Sequence, residues 1–509
     1  MAQQITLKLT VAEDRHAAVL KHSALAAATA REQQQLVSIY YDTGRLALRR
    51  NDILLRLRKQ GASWQQAVKR QDDSRGGLTR RLEWLTPYPS HFDFSGIDDA
   101  ELREWLQRDK VAGRLGAVFE TNFRRTVWQL DPGPNTRILV KLDRGWIASN
   151  GRRETISELE LQLLSGGIEN LYGLALDLAQ RQALPPLLLS KAERGYRLHL
   201  NTPPAPVKAG SVPIDANDTP LAAFRLIALD CLTHLQLNHD GAIRSDDAEY
   251  VHQMRVATRR LRAALRMFRP VLPAGFAEQL VPPMSELMRA LGQARDLDVL
   301  IAEIVAPVTA ALPDEPRLVD LTSAVTNRLY ATRAHIRHVL RQPAYSQLML
   351  TVGRLLHEAP FIEPPEADVA SPLLPFADRR LHGLLKKVLV LANAARVDNP
   401  PSLHQLRIGI KRLRYAIEFF APLIPGKSGT TLIKRLADLQ NELGQLNDLA
   451  NAGILLMVCA GKDQALREAV TLIGGWHGLR HVDLLDGIPD RLKLIRGLKL
   501  PTLDPSPTD

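Results

Sequence analysis

Residues 251–269 read VHQMRVATRRLRAALRMFR, and this stretch decides how the second half of the chain folds. It contains six arginines and no acidic residue. On a helix, with about 100° between successive residues, one side would carry a histidine and most of the arginines. The residues on that side are His252, Arg255, Arg259, Arg262, Arg266 and Arg269. Like charges on neighbouring helical turns repel each other, so the pattern indicates a helix that binds an extended anion.

A second copy of this pattern follows at residues 403–420, LHQLRIGIKRLRYAIEFF, with matching positions separated by 152 residues. The matching positions are His404, Arg407, Lys411, Arg412 and Arg414 in the second copy and His252, Arg255, Arg259, Arg260 and Arg262 in the first. The pair Leu291-Gly292 recurs at the same offset as Leu443-Gly444. Two motifs in register predict an internal duplication. The alternative is a purely architectural repeat whose arginines are solvated.

The composition favours packed cores and an anionic partner. At 509 residues the chain is long enough for about two or three domains. The net charge of +11 favours an anion, whereas an aromatic content of 5% is low for a protein that stacks exposed nucleic-acid bases. The two cysteines, Cys231 and Cys459, lie in apolar surroundings without metal-ligand spacing, so we expect buried free thiols.

Targeting signals are not found in the sequence. It has neither a signal-peptide core nor a run of about 18 apolar residues, which argues against a membrane partner. The low cysteine content fits a reducing compartment, so a cytoplasmic location is expected. The oligomeric state is left open by the sequence.

The first 200 residues contain short segments that alternate between polar and apolar side chains, which predicts β-strands. Strands are expected over residues 4–10, 36–41, 53–59, 64–70, 119–130, 137–147 and 155–163, with an alanine-rich helix over 12–30. Charges recur on one face of these strands, which is typical of a barrel with a polar lumen. Ordinary amphipathic strands with that face in water are the alternative. Lumen candidates are Lys8, Arg56, Arg58, Lys69, Arg81, Arg125, Lys141 and Lys191, with the acids Glu83, Asp143, Glu158 and Glu160.

A proline-rich segment separates this half from the helical half. Residues 201–219 show no helical or strand period and are predicted to be a linker. The domains expected on either side are residues 1–200 and residues 220–500, the latter with repeats at about 220–360 and 373–500. The predicted fold class is therefore α+β and multi-domain: an antiparallel β-barrel followed by two pseudo-symmetric helical bundles.

The order of motifs in the first half resembles the CYTH domain, the triphosphate tunnel metalloenzyme family. The motifs are QITLKL, YYDT, LLRLR, AVK, RRLE, NFRR, VKLDRG, SELELQLLSG and SKAERGY. The resemblance implies an eight-stranded antiparallel tunnel in which lysines and arginines hold a triphosphate and carboxylates hold a divalent metal. It adds Arg194 to the phosphate-binding candidates. The metal-ligand candidates are Glu83, Asp143, Glu158 and Glu160.

The sequence departs from the family pattern at this metal site. The family opens with Glu-x-Glu-x-Lys, and the corresponding residues here are Gln4, Thr6 and Lys8. In the last strand a Glu-x-Glu-x-Glu run becomes Glu158, Glu160 and Gln162. Amide and hydroxyl groups are poor substitutes for carboxylates around Mg²⁺ or Mn²⁺. We therefore expect a tunnel that hydrolyses triphosphate weakly or not at all, with these metals as cofactors only of an active form.

The second half resembles the CHAD domain, a family named for its histidines and its helices. The motifs are VHQMRVATRRLRAAL, LGQARDLDVL, LHQLRIGIKRLRYAI and LGQLNDL, within about residues 221–496. The resemblance implies binding of inorganic polyphosphate in a basic channel without a cofactor, and association with polyphosphate granules. Bacterial fusions of the two domains have the same order. The candidate binding residues are His252, Arg255, Arg259, Arg260, Arg262, Arg266, His404, Arg407, Lys411, Arg412 and Arg414.

Three functions are compared on this basis. Polyphosphate binding is favoured because the polymer is charged along its whole length and has no bases, so spaced arginine forks suit it. An active inorganic triphosphatase is the enzyme alternative, and the loss of acids from the first strand argues against it. A nucleic-acid binder is the third alternative, favoured by net charge alone; DNA is expected to bind only non-specifically.

Overall fold

The computed structural model describes residues 4–61, 63–75, 78–133, 135–358 and 372–503. The side chains of Gln4 and Arg81, both singled out in the sequence, lie outside the described part. The chain divides into two compact units. The first comprises the described residues of Met1–Pro206 and Leu340–Glu358, and the second those of Val207–Val339 and Ala359–Asp509.

Within the described residues, eight antiparallel strands of the first unit form one closed barrel, which confirms the predicted fold of this half. The strands are β1 Gln4–Thr10, β2 Ala30–Thr43, β3 Ile53–Gln60, β4 Ser63–Arg75, β5 Leu78–Pro87, β6 Leu115–Gly133, β7 Thr136–Ser149 and β8 Arg152–Ser165. Their order is β1-β5-β4-β3-β2-β6-β7-β8, and pairing of β8 with β1 completes the ring.

The prediction of one helix over residues 12–30 is wrong. The segment contains a 3₁₀ turn and two short helices, and β2 already begins at Ala30. The reason is long-range pairing, since Ala30 lies opposite Gln129 of β6. The helices of this part are α1 His16–Leu20, α2 Ser23–Ala26, α3 Ala47–Arg50, α4 Ala100–Gln107, α5 Asp109–Ala112, α6 Ile168–Leu178 and α7 Lys191–His199.

Around β1 and β8, the apolar faces of the strands lie on the outside of the barrel. Leu7 of β1 and Leu161 of β8 belong to a fully buried cluster that also contains Leu171 and Tyr172 of α6. Successive side chains of a strand point to opposite faces, so the charged residues that alternate with these leucines lie toward the lumen. Their burial agrees with that placement, because Lys8 is only 6% exposed. The structure therefore favours the polar lumen over strands whose charges lie in water.

The second unit is built from helices. The helices after the barrel are α8 Pro220–Arg244, α9 Ala248–Met267, α10 Phe276–Val299, α11 Ala306–Ala311, α12 Pro316–Leu340, α13 Pro343–Leu356, α14 Leu373–Ala394, α15 Pro400–Phe419, α16 Ser428–Ala460, α17 Gln464–Trp476, α18 Gly478–Asp486 and α19 Ile488–Arg496. All but α13 and the last residue of α12 belong to the second unit. The all-helical character predicted for this half is confirmed.

The helix bounds themselves reproduce the repeat of 152 residues. Helices α9 and α15 begin and end at matching positions, and α10 and α16 begin at matching positions. Four phenylalanines join the repeats in one core: Phe224 and Phe376 are equivalent at this offset, as are Phe268 and Phe420. The ring centroid of Phe268 lies 5.7, 5.2 and 5.8 Å from those of Phe224, Phe376 and Phe420. Equivalent residues of the repeats therefore pack together, as a duplicated bundle requires.

Helix α13 belongs to the first unit although it follows α12 in the chain. Leu350 is fully buried in the cluster outside the barrel, and Gln347 donates hydrogen bonds of 3.3 Å to the carbonyls of Ala179 and Gln180. The ring of His357 lies 5.9 Å from that of Tyr172 on α6. Residues from the second half of the chain thus complete the outer core of the barrel.

Helix α16 is the one helix in the described ranges that is long and apolar enough to cross a membrane. The criterion concerns length and composition only, with a mean hydropathy of 1.3 over 18 residues. Its leucines Leu432, Leu436, Leu439 and Leu443 are buried at spacings of three or four residues, which is the pattern of a helix that packs in a bundle.

Candidate functional site

Antiparallel pairing sets the charged residues of the tunnel opposite one another. Lys8 of β1 and Lys141 of β7 both lie opposite Glu160 of β8, and Arg125 of β6 lies opposite Asp143 of β7. Opposed side chains share one face of the sheet, so the strand register itself creates ion pairs. Lys141 Nζ lies 3.1 Å from Glu160 Oε1. Burial opposes ionisation of Glu160, but Lys141 and Arg125 outweigh it and hold the pKa of this carboxyl well below its ordinary value.

Asp143 and Glu158 are the most deeply buried acids of the lumen, each 0% exposed. Arg125 donates two hydrogen bonds of 2.7 Å to Asp143. Lys191, the first residue of α7, donates one of 2.6 Å to Asp143 and another to Glu158. Arg194, one turn further along α7, lies 3.3 Å from Glu158. Although burial opposes it, Lys191 and Arg125 lower the pKa of Asp143, so this carboxyl is held ionised by protein cations.

Helix α7 is held in place by its own sequence. Ser190 and Glu193 form a reciprocal capping box at its N-terminus, which fixes the position from which the side chain of Lys191 projects. The cation cluster therefore depends on a local signal that the sequence motif SKAERGY contains. Sequence reasoning did not identify Glu154, which lies 2.6 Å from Arg194 and holds its guanidinium from the other side.

Glu83 joins the remaining cations of the lumen. Its carboxylate lies 2.8 Å from Lys69 and 3.3 Å from Arg56. Burial and the charge of Arg56 nevertheless lower the pKa of Lys69 to about 7. Burial, Arg56 and Arg125 lower the pKa of Arg58 to about 9. The lumen thus holds more cations than acids, and an added anion would relieve the repulsion between them.

The four acids proposed as metal ligands do not fit a divalent metal. Each of Glu83, Asp143, Glu158 and Glu160 already lies within ion-pairing distance of a lysine or arginine. No group of three or more His, Cys, Asp or Glu side chains in the described part of the chain is placed to hold a metal ion. A metal would have to displace these ammonium and guanidinium groups, which supply the positive charge already.

A cavity of about 240 Å³ lies at the beginning of α7. Lys69, Arg49 and Ser190 are among its lining residues, with Tyr196 on another side. The phenol of Tyr196 donates a hydrogen bond of 2.8 Å to buried Asp42, which also accepts from the amides of Leu48 and Arg49. This network fixes one wall of the cavity and leaves Lys69 as the lumen cation that reaches it.

In the second unit, the arginine-rich faces of α9 and α15 lie close enough to repel each other. Burial together with Arg259, Arg407 and Arg255 lowers the pKa of Lys411 to about 8. Burial together with Arg412 and Arg262 lowers the pKa of Arg266. In both cases the neighbouring cations include residues of both repeats. We call the set the basic face: Arg255, Arg259, Arg262, Arg266, Arg407, Lys411 and Arg412.

The basic face is poor in acidic partners. Within the described residues, its ion pairs comprise only a long one of 3.9 Å from Arg255 to Asp296. Arg262 instead points a guanidinium nitrogen at the sulfur of Met288, 3.3 Å away, which is a weak acceptor. Clustered cations without counter-charges repel one another, so an external anion would stabilise this surface.

Two of the predicted residues, Arg260 and Arg414, have acidic partners of their own. Arg260 is 4% exposed and lies 3.1 Å from Asp230, whereas its repeat equivalent Arg412 is exposed. The position equivalent to Asp230 is His382, which explains the difference. Arg414 lies 2.7 Å from Glu418. Arg260 and Arg414 therefore use their charge within the fold, and only Arg412 of these three joins the basic face.

The two histidines differ in their surroundings. His252 is half-buried, and burial together with Arg295 lowers its pKa. His404 is exposed, and its Nδ1 lies 2.9 Å from the amide oxygen of Asn447. Arg295 and Asn447 are repeat equivalents, so the substitution between repeats changes the histidine's neighbour from a cation to an amide. Both histidines lie one turn before the first arginine of their helix and border the basic face.

Sequence reasoning did not identify Tyr415. It is buried, and two arginines lie over its ring: Arg259 with Cζ 5.5 Å from the centroid and Arg414 with Cζ 5.0 Å away. A tyrosine directly after Arg414 on a helix full of arginines is the only signal that the sequence offers for this platform.

Comparison with known families agrees with both halves of the chain. A profile described as the CYTH domain matches residues 2–196, and one described as the CHAD domain matches residues 226–456. The crystal structure of the CHAD domain from the plant Ricinus communis is 36% identical; the match covers 59% of this chain and 99% of that one, with a TM-score of 0.52.

Two curated relatives match shorter parts. A protein of Haemophilus influenzae named inorganic triphosphatase is 28% identical over 201 residues, which are 39% of this chain and 55% of that protein. An uncharacterized protein of Mycobacterium tuberculosis is 29% identical over 184 residues, 35% of each chain. The chain therefore spans about half of the first relative's length and about a third of the second's.

Proposed function

Because the chain belongs to the CHAD family and has a CYTH domain in front of its CHAD domain, we propose that it binds inorganic polyphosphate through the basic face of α9 and α15. The single observation that carries this proposal is the clustering of seven cations from both repeats whose ion pairs, within the described residues, comprise only the 3.9 Å contact from Arg255 to Asp296. A linear polyanion has negative charge along its length and can contact the whole set at once.

Guanidinium groups suit this ligand for a geometric reason. Arginine presents its donors as a planar fork that fits two oxygens of one phosphate, and it stays charged when partly buried. All but one of the basic face residues are arginines, and they sit on helices that packing already holds rigid. The ligand would therefore meet a surface that needs little ordering before binding.

The tunnel is proposed to be a poor triphosphatase. Thr6 stands where the family has a carboxylate, and each described lumen acid is already paired with a cation. The excess of cations still suits a short phosphate chain or the end of a long one. The relative named inorganic triphosphatase favours an active enzyme as the second candidate function. That candidate requires the metal to compete with Lys191 for Asp143 and Glu158.

Cellular location and other partners follow from the ligand. We propose a cytoplasmic protein that associates with polyphosphate granules, without a membrane partner and with only non-specific affinity for nucleic acid. Excess polyphosphate should then displace bound DNA, because both ligands would use the same cations. Failure of displacement would favour a separate nucleic-acid site instead.

Calorimetric titration of long-chain polyphosphate into the full-length protein tests the proposal. The variant Arg255→Glu/Arg407→Glu reverses one cation of the basic face on each of α9 and α15, and it should lose most of the affinity while keeping its helical circular dichroism. The matched control is Arg244→Glu/Arg396→Glu, which changes net charge equally at side chains that are 73% and 72% exposed. Equal losses of affinity in both variants would mean that binding depends on net charge alone. No loss in the first variant would show that the basic face is not the binding site.

A further inference from the structure

Two arginines of the basic face lie against glycines of the neighbouring helix. A Cβ atom added to Gly292 on α10 would lie 2.5 Å from Nη1 of Arg255. A Cβ added to Gly444 on α16 would lie 3.4 Å from Nε of Arg407 and 3.5 Å from its Nη2. Both glycines are buried, and both arginine–glycine pairs are repeat equivalents. The same arginine therefore lies beside the same glycine in both repeats, with a closer approach at Gly292 than at Gly444.

A glycine inside a helix is costly, so its presence twice calls for a physical reason. Each costs up to about 1 kcal/mol of helix stability relative to alanine. Neither Gly292 nor Gly444 has a positive φ, so backbone conformation does not require them. At Gly292 the close approach of Arg255 does, because a methyl group there would occupy the space of the guanidinium; at Gly444 a methyl group would only come into van der Waals contact with Arg407.

We propose that Gly292 and Gly444 are positioning residues for polyphosphate binding, each opening a slot in which the guanidinium of Arg255 or Arg407 lies against the next helix. This inference rests on the proposed function. The slot restricts a long, flexible side chain before the ligand arrives, which reduces the entropy lost on binding. It also keeps Arg255 beside Arg259 instead of letting it turn toward solvent.

The slot explains the second motif of the repeat. Leu291 and Leu443, the residues before the glycines, are both buried and anchor their helices in the bundle. The glycine then faces the arginine of the preceding basic helix. The Leu-Gly pair therefore combines packing with the placement of one ligand-binding side chain, and it recurs because each repeat has one such arginine.

The first test is Gly292→Ala in the full-length protein, with Gly453→Ala as control. Gly453 lies on α16, is exposed, and has no atom within 4 Å of an added Cβ. Both variants gain helix propensity, and the overlap at Gly292 involves only the end of a flexible side chain, so both should fold. We expect about ten-fold weaker polyphosphate binding for Gly292→Ala, and unchanged binding for Gly453→Ala.

A double-mutant cycle separates positioning from a general structural effect. In an Arg255→Ala background, Gly292→Ala should cause no further loss of affinity, because the side chain that it displaces is absent. A further loss equal to that in the wild-type background would overturn the inference, as would wild-type affinity of Gly292→Ala itself. If Gly292→Ala does not fold, Gly444→Val with Arg407→Ala provides the cycle in the second repeat, because the γ carbons of valine extend beyond a Cβ that already lies 3.4 Å from Arg407.

The two glycines differ in their distance from the neighbouring arginine, so alanine substitutions at Gly292 and Gly444 should differ in effect. Gly444→Ala should weaken binding less than Gly292→Ala, since its methyl group meets Arg407 at a longer distance. An equal or larger loss would contradict the steric basis of the slot. Absence of polyphosphate binding by the wild-type protein would instead refute the proposed function, so the two failures can be told apart.

Discussion

The guanidinium of Arg259 lies over the ring of Tyr415, with Cζ 5.5 Å from the ring centroid, and donates a hydrogen bond to its hydroxyl. The arginine belongs to α9 and the tyrosine to α15, so this contact links the two basic helices directly. Arg414 lies over the same ring at 5.0 Å. One buried tyrosine thus fixes an arginine from each repeat.

Tyr415→Phe should weaken polyphosphate binding modestly, because the ring and both cation–π contacts remain while one hydrogen bond to Arg259 is lost. We expect a loss of about two- to five-fold, measured by titration. Tyr415→Ala should lose more affinity and also about 3–5 kcal/mol of unfolding free energy from the cavity it leaves. A phenylalanine variant as weak as the alanine variant would contradict this division between ring and hydroxyl.

Polyphosphate affinity should fall as pH rises from 7 to 9. Burial and the neighbouring cations lower the pKa of Lys411 to about 8, so the free protein loses this charge over that interval. A bound polyanion favours the ammonium form, so binding takes up a proton, and affinity must therefore decrease with rising pH. Titration in buffers of different ionisation enthalpy measures the proton uptake.

Lys411→Arg is the control for this pH dependence. Arginine stays protonated throughout the interval, so the affinity of the variant should change less between pH 7 and 9 than that of the wild type. An equally steep decline in the variant would assign the effect to another group.

Arg260 and Arg412 occupy the same position in the two repeats and should respond oppositely to substitution by alanine. Arg260→Ala leaves Asp230 without its partner and opens space beside Phe419, so we expect a loss of about 2 kcal/mol or more of unfolding free energy. The affinity of the protein that remains folded should change little. Arg412→Ala should leave the melting temperature unchanged and weaken binding. Thermal unfolding and titration of both variants measure this, and a reversed outcome would refute the assignment.

The full-length protein with Mg²⁺ or Mn²⁺ should release little phosphate from tripolyphosphate. The lumen acids are occupied by Lys69, Lys141, Lys191 and Arg194, so a metal gains no preformed set of ligands. Restoring one carboxylate by Gln162→Glu should not suffice, because Lys141 already donates to Gln162 and would neutralise the new acid. A phosphate-release assay measures both proteins. Robust metal-dependent release by the wild type would show that the tunnel is active.

Local periodicity predicted most of the fold. Alternation placed Lys8, Asp143 and Glu158 on the lumen face because a strand has a period of two, and the recurrence at 152 residues predicted the duplicated bundle. The start of β2 at Ala30 could not be predicted in this way, since it depends on a partner strand about 100 residues away in sequence. Helix α13 is a similar case, because its apolar residues show that it is buried without showing against which core.

The charge pattern of the sequence identified the candidate site residues, but it did not predict which residues each of them contacts. Arg260 and Arg412 were equal candidates on the charge pattern, and only Asp230, which pairs with Arg260 and is replaced by His382 in the second repeat, distinguishes them. The role of Tyr415 depends on which face of α15 meets α9. Such information lies in tertiary packing, which a single helix pattern does not contain.

The central claim is that the basic face, and not the tunnel, holds long-chain polyphosphate. Its most direct test compares two full-length variants by calorimetric titration: Arg255→Glu/Arg407→Glu, which alters the basic face, and Arg58→Gln/Lys69→Gln, which removes two tunnel cations. Burial already lowers the pKa of both tunnel residues, so their neutralisation should be tolerated. We predict that the first variant loses long-chain binding and that the second retains it. Loss in the tunnel variant with retention in the other would contradict the account.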